Sequence, residues 1–238
     1  MKKILFIAIT LLSVSVLHAQ NKKNTPGFIN RTGDHLMLQI TSDHWIGVPD
    51  SIKSHMTGFA RGVNVYVMLD KRFKSMPKMS VAFGLGVGTS NIFFKNMYIN
   101  IKSKTNTLPF TDVENADHFK KYKLTTAFLE LPIELRYTAN PERENKSVKA
   151  AIGVKVGTVL NVHTKGKTLL SSTGTQINSY TAKETSKGFI NSTRIAATAR
   201  VGYGNFSVYG SYQLNNIFKD GVAADMKLFQ IGICFSGL

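Results

Sequence analysis

The strongest alternation in the chain lies between residues 124 and 164. In the first half of this stretch Ala127, Leu129, Leu131, Ile133, Leu135 and Tyr137 occupy successive odd positions, while the even positions include Glu130, Glu134 and Arg136. A repeat of two is the signature of a β-strand with one oily face and one charged face. The pattern breaks at residues 139–146, where Asn140-Pro141 supplies turn chemistry, and then resumes. Val148, Ala150, Ile152, Val154, Val156, Leu160 and Val162 are expected on one face, with Lys149, Gly153, Lys155, Gly157, Asn161 and His163 on the other. The two halves predict a long β-hairpin. Each strand exceeds the usual five or six residues of a globular strand and covers the roughly 9–11 tilted residues that cross a bilayer in a barrel. Ionised groups in mid-strand exclude a dry sandwich core unless every one is paired. The pattern fits an apolar face turned to lipid and a charged face turned to a lumen.

The same repeat predicts further strands at about 35–47, 57–70, 79–94, 190–203, 206–215 and 226–235. In the first, Leu36, Leu38 and Ile40 share a face, and in the second Val63, Val65, Val67 and Leu69 do, with Arg61 on the apolar register as either a flaw in the pattern or a rim residue. In the third, Val81, Phe83, Leu85 and Val87 oppose Ala82, Gly84, Gly86 and Gly88, small residues that suit a crowded lumen or a tight bend. Arg194 and Arg200 alternate with Ile195, Ala197, Ala199 and Val201 in the sixth. Gly204-Asn205 is a tight turn into the seventh. The connections after the second, fourth and sixth strands are short, and those after the first, third, fifth and seventh are long. Residues 95–122 and 165–188 are expected to be long polar connections. This is the alternation of short periplasmic turns and long extracellular loops in outer-membrane barrels, and it puts both termini in the periplasm. A soluble lipocalin-like barrel gives no reason for it. The expected fold is therefore all-β: a closed up-and-down antiparallel transmembrane β-barrel of about eight strands. Phe93, Phe94, Tyr98, Tyr122, Tyr137, Tyr203, Phe206 and Phe218 lie near strand ends, where interfacial aromatic girdles would stand.

Composition sharpens this picture at the N-terminus. Met1-Lys2-Lys3, an apolar run through Leu12 and a small residue at Ala19 resemble a secretory signal over residues 1–19. A polar lead-in is expected over 20–34 and the barrel domain over 35–238. No other stretch approaches the ~18 consecutive apolar residues of a membrane helix. The mean hydropathy of −0.05 suits a barrel, because lipid-facing and lumen-facing residues average out. Cys234 is the single cysteine, so no internal disulfide forms. The formal charge of +16 falls to +14 without Lys2 and Lys3. Export leaves an anionic membrane surface as the partner in reach, rather than nucleic acid.

The segment from Phe128 to Tyr137, followed by Ala151-Ile152-Gly153-Val154-Lys155-Val156-Gly157, resembles the PorT-like outer-membrane β-barrel family of exported bacterial proteins. Val201-Gly202-Tyr203-Gly204, with Tyr212 to Phe218, is similar to the final hairpin of that family. The resemblance implies an eight-stranded outer-membrane barrel, and some members are linked to protein secretion and gliding machinery.

Candidate chemistry falls into two groups. Glu130, Glu134, Arg136, Lys155, Arg194 and Arg200 all point to the expected lumen. An eight-stranded barrel is just wide enough to be filled by its own side chains, and charges there must pair. An inner salt-bridge network plugging the barrel is expected; a narrow proton or solute path is the alternative. Lys95, Lys102, Lys104, Lys120, Lys121, Lys123, Lys165 and Lys167 give the long connections an excess of base, expected to contact the acidic glycolipid of the outer leaflet. Gly166-Lys167-Thr168 lacks the upstream glycine of a phosphate-binding loop, and no helix follows it. His35, His44, His55, His118 and His163 show no metal spacing, so no metal or other cofactor is expected. The chain is expected to be a monomeric, non-enzymatic barrel with a structural or surface-interaction role, or an accessory to other envelope proteins. An enzyme acting on membrane lipid, with His44 or His55 beside a serine near the rim, is the second class.

Overall fold

The computed structural model of the chain describes residues 36–58 and 60–237. The expected signal segment 1–19, the lead-in 20–34, His35 and Phe59 lie outside the described residues. Strands β1 (Leu36–Ile46), β2 (Arg61–Arg72) and β3 (Met79–Phe94) follow one another with a short helical turn, α1 (Asp50–Lys53), between the first two. Next come β4 (Met97–Ile99), β5 (Phe110–Asp112), β6 (His118–Thr138), β7 (Val148–Leu170), β8 (Gln176–Thr185), β9 (Thr193–Tyr203), β10 (Phe206–Gln213) and β11 (Lys227–Ser236). Pairing runs β6-β3-β2-β1-β11-β10-β9-β7, and β7 returns to β6, so eight antiparallel strands close a ring. Its seam joins β1 to β11 from Met37↔Ser236 to Ile46↔Lys227. Strand β8 stands outside the ring and pairs with the upper part of β7, from His163↔Thr185 to Leu170↔Gln176.

Alternation dictates the wall. Odd residues of β6 (Leu131, Ile133, Leu135, Tyr137) and even residues of β7 (Val148, Ile152, Val154, Val156, Leu160) are exposed, as are Val63, Val65, Val67 and Leu69 of β2. Between them, Glu130, Glu134 and Arg136 of β6, Lys149, Ala151 and Lys155 of β7, and Asn64, Tyr66 and Met68 of β2 are buried. An apolar belt left bare on every strand, around a polar interior, is stable only with hydrocarbon as the outer solvent. The short connections between successive ring strands, β2–β3, β6–β7 and β9–β10, lie at the end that carries both Leu36 and Ser236. There Arg72 donates to the Glu144 carboxylate and, at 3.2 Å, to the carbonyl of Pro141, tying two turns together. Gly204 takes φ +60° in the two-residue turn between β9 and β10, a backbone that a larger residue would strain.

Three expectations change. The connection 165–188 contains strand, because β7 continues to Leu170 and β8 pairs with it; a hairpin polar on both faces leaves no alternation to read. The connection 95–122 holds the small β4–β5 ladder and the first residues of β6. A β-bulge changes the register between Ala127↔Asn161 and Phe128↔Val159, which reverses the faces of β7 beyond Leu160. Val162, expected on the lipid side, is therefore fully buried, while Asn161 and His163 turn outward.

Candidate functional site

The middle of the lumen is built around two glutamates of β6. Glu130 sits opposite Gly157 of β7 and Gly86 of β3, and Glu134 sits opposite Gly153. A side chain at Gly88 would come within 2.4 Å of the Glu130 carboxylate, so the small residues of β3 are space for it. Glu130 accepts from Arg194 at 3.2 Å, pairs with Lys155 Nζ at 3.4 Å and accepts from the Tyr66 hydroxyl at 2.5 Å. The Arg194 guanidinium also stacks over the Phe128 ring at 3.8 Å. Glu134 accepts from Arg136 Nε at 2.9 Å and from Arg200 at 3.1 Å. Lys155 donates to Gln230 at 3.3 Å, and Gln230 in turn donates to Asp43 at 2.9 Å, which also accepts from Thr41 at 2.6 Å. The structure thus brings all six expected lumen residues into two ion clusters, each carboxylate facing two cations. Asp43, Tyr66, Tyr209 and Gln230 were not among the sequence candidates. The same alternation that placed Leu36, Leu38 and Ile40 outside puts Thr41 and Asp43 inside, so the signal for Asp43 was there.

The long-loop half of the lumen is different. From Phe128 upward the inward positions are Leu124 and Tyr122 of β6, Ile92 and Phe94 of β3, Val162 of β7 and Leu228 of β11. The loops fold down onto them with Ile52, Met97, Ile99, Leu108, Ile190, Phe218 and Met226. Trp45 is held edge-on between Phe94 and Phe218, at 5.8 and 5.6 Å. This apolar cap was not expected, and it corrects the aromatic girdle at this end: Phe94, Tyr122 and Phe218 point inward and are buried. Tyr137, Tyr203 and Phe206 do stand exposed at the short-turn end. Burial and the Glu184 carboxylate, which accepts the Tyr98 hydroxyl at 3.0 Å, push that hydroxyl up to about 12, strapping the β4–β5 loop to β8.

On the outer wall, the bulge in β7 brings Lys165 and Lys167 to the same face as Lys123 and Lys121, directly opposite them across β6 and β7. The four line one hollow of about 220 Å³ together with Phe93. The other expected loop lysines do not join them. Lys102 and Lys104 lie exposed between β4 and β5, Lys120 alternates to the opposite side of β6 from Lys121, and Lys95 follows β3, hydrogen-bonded through its backbone to His55. Among the described residues no cluster of His, Cys, Asp and Glu could hold a metal ion. Cys234 is buried in the lumen, 4.0 Å from the Gln39 amide.

Residues 29–219 match the family described as "Outer membrane protein beta-barrel domain", across most of the chain. The chain belongs to that family. Its place is accordingly the bacterial outer membrane, and the eight-stranded ring is this outer-membrane barrel's transmembrane wall. Among solved structures it is similar to Ail, the attachment invasion locus protein of Yersinia pestis. In complex with the heparin analogue sucrose octasulfate, that protein shows 14% identity over 84% of this chain and 96% of its own, with a TM-score of 0.34. A second Ail structure shows 13% identity over 84% and 95%, with a TM-score of 0.33. No curated protein matches the outer-membrane barrel.

Proposed function

We propose that this chain is a closed, monomeric, non-enzymatic barrel that works as a surface-interaction platform, its termini in the periplasm and its long-loop end facing outward. The observation that carries this is the double block of the lumen. Glu130 and Glu134 with their four cations fill the middle, and the cap around Phe94, Phe218 and Met226 covers the long-loop mouth. A narrow eight-stranded lumen filled by its own side chains leaves no path for solute. The orientation is supported by the short turns that join ring strands, β2–β3, β6–β7 and β9–β10, lying at the end of Leu36 and Ser236. The resemblance to PorT-like barrels supports an accessory role beside an envelope machine of the secretion type.

Planar-bilayer recording tests the block: no steady current is expected from the purified barrel, and a sustained open level would overturn it. A tag at Thr173, in the β7–β8 turn, should be accessible on intact cells. The enzymatic reading has one specific observation in its favour. Ser42 Oγ lies 3.0 Å from His44 Nε2 on the lipid-facing side of β1. Among the described residues nothing orients the other ring nitrogen, which a nucleophilic serine requires. Zymography on lipid substrates separates the two, with Ser42→Ala as the control.

A further inference from the structure

The outer wall carries a second site just beyond the apolar belt. Across three adjacent strands Lys123, Lys165 and Lys183 face one another directly, Lys123↔Lys165 between β6 and β7 and Lys165↔Lys183 between β7 and β8. Lys121↔Lys167 forms a parallel pair one step further out. Like charges at directly opposed positions, with Cβ atoms about 5 Å apart, are destabilising in a sheet. Five of them on one face are not an arrangement that the fold alone would favour. Among the described residues none of the five has a carboxylate partner in an ion pair. The nearest acid in β8, Glu184, is on the opposite face and is occupied by Tyr98. Lys123 has only the Asn91 side-chain oxygen at 2.6 Å and the Phe93 ring at 5.7 Å. His163 lies at the lower edge of the cluster, opposite Thr125 of β6 and Thr185 of β8.

The bulge at Leu160 is what makes this cluster. Without the extra residue, the alternation of β7 would turn Lys165 and Lys167 into the apolar cap and Val162 out to the surroundings. The position is also specific. Lys123 lies four residues beyond Ala127 on the same face of β6. At the usual strand rise and tilt, that is on the order of 10 Å further out along the barrel than Ala127. A lysine side chain can hang back from there to the headgroup layer.

We propose that the face of β6, β7 and β8 bearing Lys121, Lys123, Lys165, Lys167 and Lys183 is a binding site for the phosphate groups of a phosphorylated glycolipid in the outer leaflet. The acyl chains of that lipid would lie against the belt below, along Leu129 and Leu160, while its phosphates offset the mutual repulsion of the lysines. A soluble polyanion would make use of the charges but not of the continuity with the apolar wall. The proposal rests on the long-loop end facing outward.

The test is native mass spectrometry of the full chain released from neutral detergent. It is titrated with bis-phosphorylated lipid A, with the same lipid stripped of its phosphates, and with inorganic phosphate. The barrel is expected to retain phosphorylated lipid A, and to lose about 30-fold or more in apparent affinity in the K123Q/K165Q/K183Q variant or with the dephosphorylated lipid. The K102Q/K104Q/K120Q variant removes the same charge outside the cluster and should change affinity by less than about two-fold. Folding of the first variant is checked by the heat-dependent shift in gel mobility, and relief of repulsion should leave it at least as stable as the parent in neutral detergent. Equal retention of the two lipids, equal loss in the two variants, or inorganic phosphate competing at the lipid's own concentration would each overturn the proposal. A tag at Thr173 that is hidden on cells, with phosphate-dependent retention intact in vitro, would instead sink only the orientation.

Discussion

Between Glu134 and Glu130 the lumen is held together by ions; from Phe128 to the loops it is held together by hydrocarbon. Both regions fill the same tube, and the difference follows from what surrounds each. At the level of the belt the outside is lipid, so an apolar interior would gain nothing over an apolar exterior, and polar pairing is what distinguishes in from out. Ion pairs are directional, and they sit where regular strands fix every partner, as Gly157 and Gly153 do by leaving room for Glu130 and Glu134. Above the belt the outside is water. The hydrophobic effect operates there, and being non-directional it tolerates irregular loops such as those bringing Ile52, Ile99 and Phe218 together.

That contrast can be broken at four places. Glu130→Ala leaves Lys155 and Arg194 buried without their carboxylate, and a cost of about 4 kcal/mol is expected in urea unfolding. Glu130 replaced together with both cations by apolar residues should cost much less, since the penalty lies in the orphaned charge. Phe218→Ala empties the centre of the cap and should cost about 3 kcal/mol, with the bilayer still silent because the ionic middle remains closed. Gly157→Ala puts a methyl 2.8 Å from the Glu130 side chain and should cost about 2 kcal/mol, while the same change at Gly210, which has open space, should cost little. Tyr98→Phe removes the strap to Glu184, worth about 0.5 kcal/mol at this part-buried site. Its pH dependence has a definite sign. Because the folded hydroxyl is raised to about 12, its contribution is complete below the ordinary tyrosine value near 10 and is lost as pH rises toward 12. Absorbance titration of the parent against Tyr98→Phe reads this directly.

The ionic half was legible in the sequence and the apolar half was not. Strand β3 was expected at 79–94 and is found there; the strand expected at 35–47 is β1. Glu130, Arg136, Arg194 and Arg200 were placed inside because rigid alternation leaves a charged residue nowhere else to go. The cap escaped because period-two reading takes an apolar residue to be an outward one. Ile92, Phe94 and Leu124 break that rule on the inward register, in strands that otherwise obey it. The basic wall was half legible. The lysines of the two long connections could be grouped by charge, but which of them share one face with His163 follows only from a register shift and a polar strand that no hydrophobic pattern announces.

The seam between β1 and β11 sets a condition on how the molecule comes into being. Met37 finds its partner in Ser236, near the opposite end of the described chain, so the most distant stretches must meet before either is complete. Contacts of such separation in sequence are slow to form. Until they do, β1 and β11 each present a bare row of amides and carbonyls on which a second molecule could template. A message cut short before Lys227 would therefore yield an open sticky sheet instead of a smaller tube, and the nascent polypeptide needs an escort until its last strand has docked.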